Sequence, residues 1–304
     1  PASGTNMFAE DITWYGTNSA LSPASLTIGK DTGLTAMTNG VTLPYAQSIA
    51  GPISLYGRFL TLGGTLTTTG TNSPINLKTT TGMGVTGALV ATGKVTLNNT
   101  TSSDITISGA ITAPAGLDAI NTGGNVTFNN SVRITNNAAG IFAKATGNVT
   151  TGNSLAFCTT NGPVTFWADS DTLNGGLVGL GTYSSINTAQ TVSTCAANVS
   201  SANYTSSTLL NATAGGRVIL AGGTADATDP TIPAGYADSR AGNFGVSLYA
   251  YSSIYSGGQD VIIRGKSGTT TSWFGGVGSW YYSWINSAKG EIIIKGDSTA
   301  NTGS

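Results

Sequence analysis

The chain of 304 residues has no histidine, and only 8% of it is charged. Without imidazole, neither a His-based triad nor a His-ligated metal centre is open to it. Twelve Lys and Arg against thirteen Asp and Glu leave a formal net charge of -1. Nucleic acid is therefore not an expected partner, because phosphate neutralisation needs a basic face. Long apolar runs are also missing. No stretch of about 18 apolar residues exists, so no helical membrane span is expected. Helical periodicity is absent as well, since Gly, Thr, Ser and Asn interrupt almost every window in which apolar positions would recur at i, i+3, i+4 and i+7. Cysteine is scarce. Cys158 and Cys195 permit one disulfide in an oxidising compartment, with two buried free thiols as the alternative.

What is present is a recurring formula. The stretches GGNVTFNN at Gly123, TGNVTTGN at Thr146, NGPVTFWA at Asn161 and GGRVILAG at Gly215 place Gly or Asn before a short β-branched run, as do GQDVIIRG at Gly258 and KGEIIIKG at Lys289. Other units of four to six residues, ISLYG at Ile53, INLKT at Ile75, KVTLNN at Lys94, DITISG at Asp104 and SVRIT at Ser131, alternate apolar with polar residues. Alternation of period two predicts strands with one buried and one wet face, and the Gly and Asn between them are turn residues. A hydrophobic content of 39% suffices for a core, and 43 glycines suit many turns.

Spacing points to the architecture. Ile53 to Ile75 is 22 residues, Ile75 to Val95 is 20, Val126 to Val149 is 23, and Val95 to Val126 and Val261 to Ile292 are both 31. Periods of about 20 to 30 residues are those of stacked coils, in which each strand lies on its equivalent in the previous coil. An antiparallel sandwich also has many short strands with Gly-rich turns. Quasi-regular recurrence of one strand formula favours a single β-solenoid over residues 1–304. Val126, Phe128, Val149, Val164, Val218, Ile219, Ile262 and Ile292 are its expected wall residues. The 54-residue gap from Val164 to Val218 is expected to hold an additional coil of weaker signature or an inserted loop.

The segments GKVTLNN, SSDITISGAIT, GLDAINTGGNVTFNN, GPVTFWADSDTLNGG and GGRVILAGG resemble the repeats of filamentous haemagglutinin-like proteins, bacterial surface adhesins exported by two-partner secretion. The resemblance is strongest over Gly82 to Gly223, with echoes up to Gly296. It implies a right-handed parallel β-helix, export and a role at the cell surface. The Asn-Pro motif expected in that family's secretion domain is absent, which suggests an internal piece or a specialised relative. Pro1 to Thr5 shows no signal-peptide features, and GEIIIKGDSTANTGS carries no polar cap after its strand. Uncapped coils expose strand edges, so a head-to-tail homopolymer is expected, with Phe8, Ile12, Trp14 and Tyr15 as apolar contacts or, alternatively, as the start of the first coil.

Several local clusters are candidate sites. Asp169, Asp171 and Asn174 gather oxygens as a calcium loop does, although the terminal bidentate Glu is missing and a solvated Asx turn explains the same pattern. No other cofactor is implied. Trp273, Phe274, Trp280, Tyr281, Tyr282 and Trp284 put six of the chain's aromatic residues within twelve positions. They are expected either to offer rings to a glycan or to a receptor protein on a host or neighbouring cell, or to belong to an insertion over 267–288 that folds back on the solenoid. For catalysis, the candidate carboxylate pairs are Asp169 with Asp171 and Asp226 with Asp229, and neither has Arg or Lys immediately beside it. The Asn-x-Ser/Thr triplets at Asn98, Asn125, Asn148, Asn198, Asn203 and Asn211 follow from composition. The expectation is a secreted, non-enzymatic structural or adhesive protein of a bacterial surface filament or stalk. The alternative is a polysaccharide lyase or depolymerase on a β-helix, which a groove lined by Asp and Arg from adjacent coils would favour.

Overall fold

Ile53–Gly57, Ile75–Thr79, Val95–Asn99, Leu117–Asn121 and Ile141–Ala145 share one burial pattern: the first, third and fifth residues are buried, and the second and fourth are partly exposed. The alternation follows from the pleat, which sends successive side chains to opposite faces. A five-residue strand so patterned cannot hide its apolar face alone. It must lie on another strand of the same kind, and the chain supplies one every coil.

The computed structural model of the chain describes residues 12–13, 24–31, 39–173, 175–189, 195–197, 213–240, 244–268 and 275–298. Among these residues there is no α-helix. The strands form three walls of ten, nine and twelve strands; among the described residues the coil strands stack in parallel within each wall, and the third wall also carries Pro233–Gly235, antiparallel to Val218–Ala225, and Ala237–Asp238. The chain is an all-β parallel β-helix. On the third wall, Ile53, Ile75, Val95, Leu117, Ile141, Val164, Val218, Val261 and Ile292 follow one another in register from coil to coil. Val126, Phe128, Val149, Val164 and Val218 are fully buried, with Val126 and Phe128 on the same inward face.

Register corrects the spacing argument in one respect. Val126 does not follow Val95 on a wall; it pairs with Ile105 and Val149 on the first wall, whereas Val95 pairs with Ile75 and Leu117 on the third. The two walls use the same Gly-polar-Val formula, so sequence cannot tell them apart. Val164 pairs directly with Val218, so the 54-residue gap is one coil carrying an inserted loop. Of the stretch 267–288, residues 269–274 lie outside the described residues. Val277–Ser279 and Trp284–Asn286 are wall strands that pair with Val246–Leu248 and Ser253–Tyr255.

Inside the tube, bulk and smallness alternate. Phe128, Phe157 and Phe166 meet at centroid distances of 5.3, 5.4 and 5.9 Å, and the neighbouring inward positions Ala119, Ala143, Ala145 and Ala168 make room for them. At one corner the interior turns polar. Asn99 and Asn121 are completely buried, and their amides bridge successive coils, Asn99 Nδ2 donating to Asn121 Oδ1 at 3.1 Å. Asn121 Nδ2 also donates to the carbonyls of Ser103 and Asn125, and Asn99 Oδ1 accepts from Thr79 Oγ1. Each amide thereby satisfies backbone groups that the turn would otherwise bury unpaired. In the outermost described coil the inward register positions Ile292 and Ile294 are 45% and 50% exposed.

Candidate binding cleft

The third wall does not stay bare. Strand Val218–Ala225 overruns its coil, and the chain bends at Gly223, whose φ of +76° is a left-handed conformation open to glycine, and returns so that Pro233–Gly235 pairs antiparallel with it. The connecting turn is held by two Asp-x-Thr units. Asp226 Oδ1 accepts from Thr228 N at 2.8 Å and Thr228 Oγ1 at 2.6 Å, and Asp229 Oδ1 accepts from Thr231 N at 2.9 Å and Thr231 Oγ1 at 2.5 Å. The Thr side-chain hydrogen bonds hold both carboxyls below the usual Asp range.

This returning arm stands over the outward face of the wall. Thr165, Trp167 and Ile219 point outward by strand parity and are nevertheless buried, at 5%, 1% and 2% exposure, because the arm covers them. Trp167 Nε1 donates to the Gly223 carbonyl at 2.8 Å, which fixes the ring beneath the arm. Ile219 is the wall residue expected, and it is core on the outside of the tube. Ile262, likewise in a wall strand as expected, holds an outward and only partly buried position.

Between the arm and the wall lies a cleft of about 730 Å³. Its floor is built from successive coils in register: Asp118 beside Phe142 beside Thr165, and Ile120 beside Lys144, whose next neighbour in register is the buried Trp167. Lys94 and Arg217 enter from the strand starts, and Asp229 and Ile232 from the arm. The Lys144 ammonium stands 3.9 Å from the centroid of the Trp167 ring, and Phe142 meets that ring edge-on at 6.3 Å. Burial lowers the Lys144 pKa. The indole face compensates the cation in part.

Cations along this wall are mostly occupied. Lys78 pairs with Asp31 and Lys94 with Asp118, each at 2.6 Å, and Lys266 with Asp238 at 3.4 Å. Arg264 donates to the carbonyls of Pro233 and Ala234. Lys144 and Arg217 make no ion pair or side-chain hydrogen bond among the described residues, and both line the cleft. Arg217 is close enough to Asp229 to lower its pKa further.

Comparisons with protein families, with curated proteins and with solved structures return no match. The cleft is thus characterised by its own geometry.

The remaining predicted sites are scattered over other surfaces. Asp169 is 3% exposed, and its Oδ1 has no hydrogen-bond partner. Burial pushes its pKa up to about 6, against the pull of Arg240, with Asp238 and Asp171 adding to the rise. Asp171 Oδ1 accepts from Leu173 N at 3.0 Å in an Asx turn, and Asn174 lies outside the described residues. Arg240 ties this turn down by donating to the carbonyls of Thr172 and Leu173. No group of three or more Cys, Asp or Glu gathers as a metal site among the described residues.

Cys158 and Cys195 form a disulfide, with Cα atoms 5.8 Å apart. It fastens part of the inserted loop to the outward face of the second wall. Arg133 Nη2 donates to the Cys195 carbonyl, and Ser185 Oγ to that of Ala196.

Of the aromatic group, Trp280, Tyr281 and Tyr282 are 43%, 76% and 77% exposed, Trp284 is half-buried, and Trp273 and Phe274 lie outside the described residues. Tyr282 continues a ladder. Tyr183, Tyr251 and Tyr282 occupy the same corner of three successive coils, all with φ near +59°, and stack at 4.7 and 5.3 Å. Ile12 lies in a strand paired with Val41, while Phe8, Trp14 and Tyr15 fall outside the described residues.

Lys144, Arg217, Phe142 and the Tyr183 ladder were not singled out by sequence reasoning. Each gains meaning only from the coil-to-coil register. The near-repeats TYSSI at Thr182 and AYSSI at Ala250 carried the one readable signal, for the ladder.

Proposed function

We propose that this chain is a rigid segment of an extracellular structural and adhesive protein, a β-solenoid stalk or filament at a bacterial surface. The observation that carries the reading is the unbroken register of the third wall from Leu26–Ile28 to Ile292–Ser298, which makes the segment a rod that grows by about 4.8 Å per coil. Outward positions of the first wall are mainly Thr, Ser and Gly, among them Thr42, Thr61, Thr106, Thr127 and Thr150, a wet surface without charge. The Cys158–Cys195 disulfide supports an oxidising compartment. Head-to-tail stacking of copies extends the proposal, because a solenoid layer is best covered by another in register. Electron microscopy of native material tests it: rods or fibres are expected, and compact globular particles would end the reading.

A second reading, a carbohydrate-active enzyme, draws on the cleft, whose Lys94, Asp118, Lys144, Arg217 and Asp229 come from neighbouring coils and the arm. Its test is the appearance of new reducing ends or unsaturated uronates when the protein is incubated with acidic and neutral polysaccharides.

A further inference from the structure

We infer that the cleft between the third wall and the Asp226–Ile232 turn binds an acidic saccharide, with Lys144 and Arg217 receiving its carboxylate and Phe142 and Ile120 supporting a sugar ring. The inference supplies a ligand class for the adhesive part of the proposed function. It rests on that reading only for its biological setting.

Three observations combine. The first is charge availability. In a chain with so few cations, most of those along this wall are committed to Asp31, Asp118, Asp238 or to backbone carbonyls, and the uncommitted Lys144 and Arg217 both line the cleft. Lys94 is there too, but Asp118 neutralises it, and Thr231 occupies one oxygen of Asp229. A ligand entering the cleft therefore meets two cations with unfilled donor capacity. Lys144 is held at a fixed place by the Trp167 ring, which limits the order lost on binding.

The second is shape and lining. A cleft of about 730 Å³ lies in the range of small-ligand sites, about 300 to 1,000 Å³. Beside the cations it presents aromatic and aliphatic surface from Phe142 and Ile120, and hydrogen-bonding groups from Thr165, Thr231 and Gln259. That mixture suits a molecule with apolar ring faces, many hydroxyls and an occasional carboxylate.

The third separates a saccharide from an acidic peptide. The floor of the cleft is the face of a wall whose backbone groups are spent in coil-to-coil pairing: Ile141 N donates to the Pro163 carbonyl, Val164 N to that of Arg217, and the strands continue in register. Such a floor offers no free strand edge on which an extended peptide could align. Recognition must run through side chains, which a sugar's hydroxyls can meet without unpaired amides.

The test is calorimetric titration of the full chain with oligogalacturonate, with the same oligosaccharide as its neutral methyl ester, and with oligoglutamate. Binding of the uronate is expected, at least about tenfold tighter than either control and weakening as salt rises. Lys144→Met and Arg217→Gln should each weaken it by about tenfold or more, while Lys30→Met, beside the strand Leu26–Ile28 three coils before the coil of Lys94, should leave it unchanged. On the wild-type protein, the NMR titration of Lys144 should move to higher pH when the uronate is bound. Circular dichroism confirms that each variant keeps the strand spectrum. No uronate binding, equal binding of the neutral ester or of oligoglutamate, or affinity untouched by both substitutions would overturn the inference. Rods seen by microscopy alongside such a failure would leave the stalk reading standing, and binding without rods would leave the cleft standing.

Discussion

Asn99 lies directly over Asn121 inside the tube, its Nδ2 donating to Asn121 Oδ1 at 3.1 Å while its own Oδ1 accepts from Thr79 Oγ1 and Gly82 N. Both residues are fully buried, so no water stands ready to replace these bonds. Replacing Asn99 with Ala strands the Gly82 amide and the Thr79 hydroxyl and takes a donor from the Ser102 and Ser103 carbonyls, while Asn121 Oδ1 keeps the Gly123 amide. The expected cost is about 2 to 4 kcal/mol. Thr96→Ala, one outward position on the same strand, should stay within about 0.5 kcal/mol. Chemical denaturation of the two variants decides the matter, and equal midpoints would mean that the amide ladder contributes nothing.

The disulfide closes a loop of 37 residues between Cys158 and Cys195. Cys158→Ser paired with Cys195→Ser should lower stability by about 2 to 4 kcal/mol in the chain-entropy picture. Unfolded wild-type protein, free of reductant, should show no reactive thiol in an Ellman assay. Two titrating thiols would refute the bond.

Asp169 gives a pH dependence whose sign is fixed by its raised pKa. With about 6 in the folded chain against a model-peptide value of 3.8, the carboxyl stays protonated when folded over a range where the unfolded chain has already released the proton. Ionisation then costs folding free energy: nothing is lost below the unfolded pKa, the loss grows as pH rises between the two values, and it is complete above the folded one. Asp169→Asn should match the wild type near pH 4 and exceed it at pH 7.5 by roughly 1 to 3 kcal/mol. Urea melts at the two pH values provide the comparison, and parallel behaviour would show that Arg240 compensates the buried charge fully.

Tyr251 stacks between Tyr183 and Tyr282, whereas Tyr281 points its ring into solvent. Tyr251→Asn keeps a residue that tolerates the φ of 59° found there and removes both ring contacts. A loss of about 1 to 2 kcal/mol is expected, against about 0.5 kcal/mol or less for Tyr281→Asn. Thermal unfolding that ranks the two the other way would assign the ladder no structural role.

The fold was legible because a period of two in polarity and a period near 22 in position both follow from local chemistry. ISLYG and INLKT bury Ile and Leu on one face wherever they are placed, and a strand of that kind needs a neighbour of the same kind. The sequence by itself thus determined that this is a stacked, all-β chain. It could not determine which wall a given strand joins, since VTF at Val126 and VTFWA at Val164 read alike and sit on different walls. Tertiary structure decided the cleft. Lys144 and Trp167 are 23 residues apart in sequence and adjacent in space only because their coils are in register, and the arm beyond Gly223 closes over them only because Val218–Ala225 overruns its coil. Side-chain pairs across coils depend on register, and register is a property of the whole stack, which no single coil encodes.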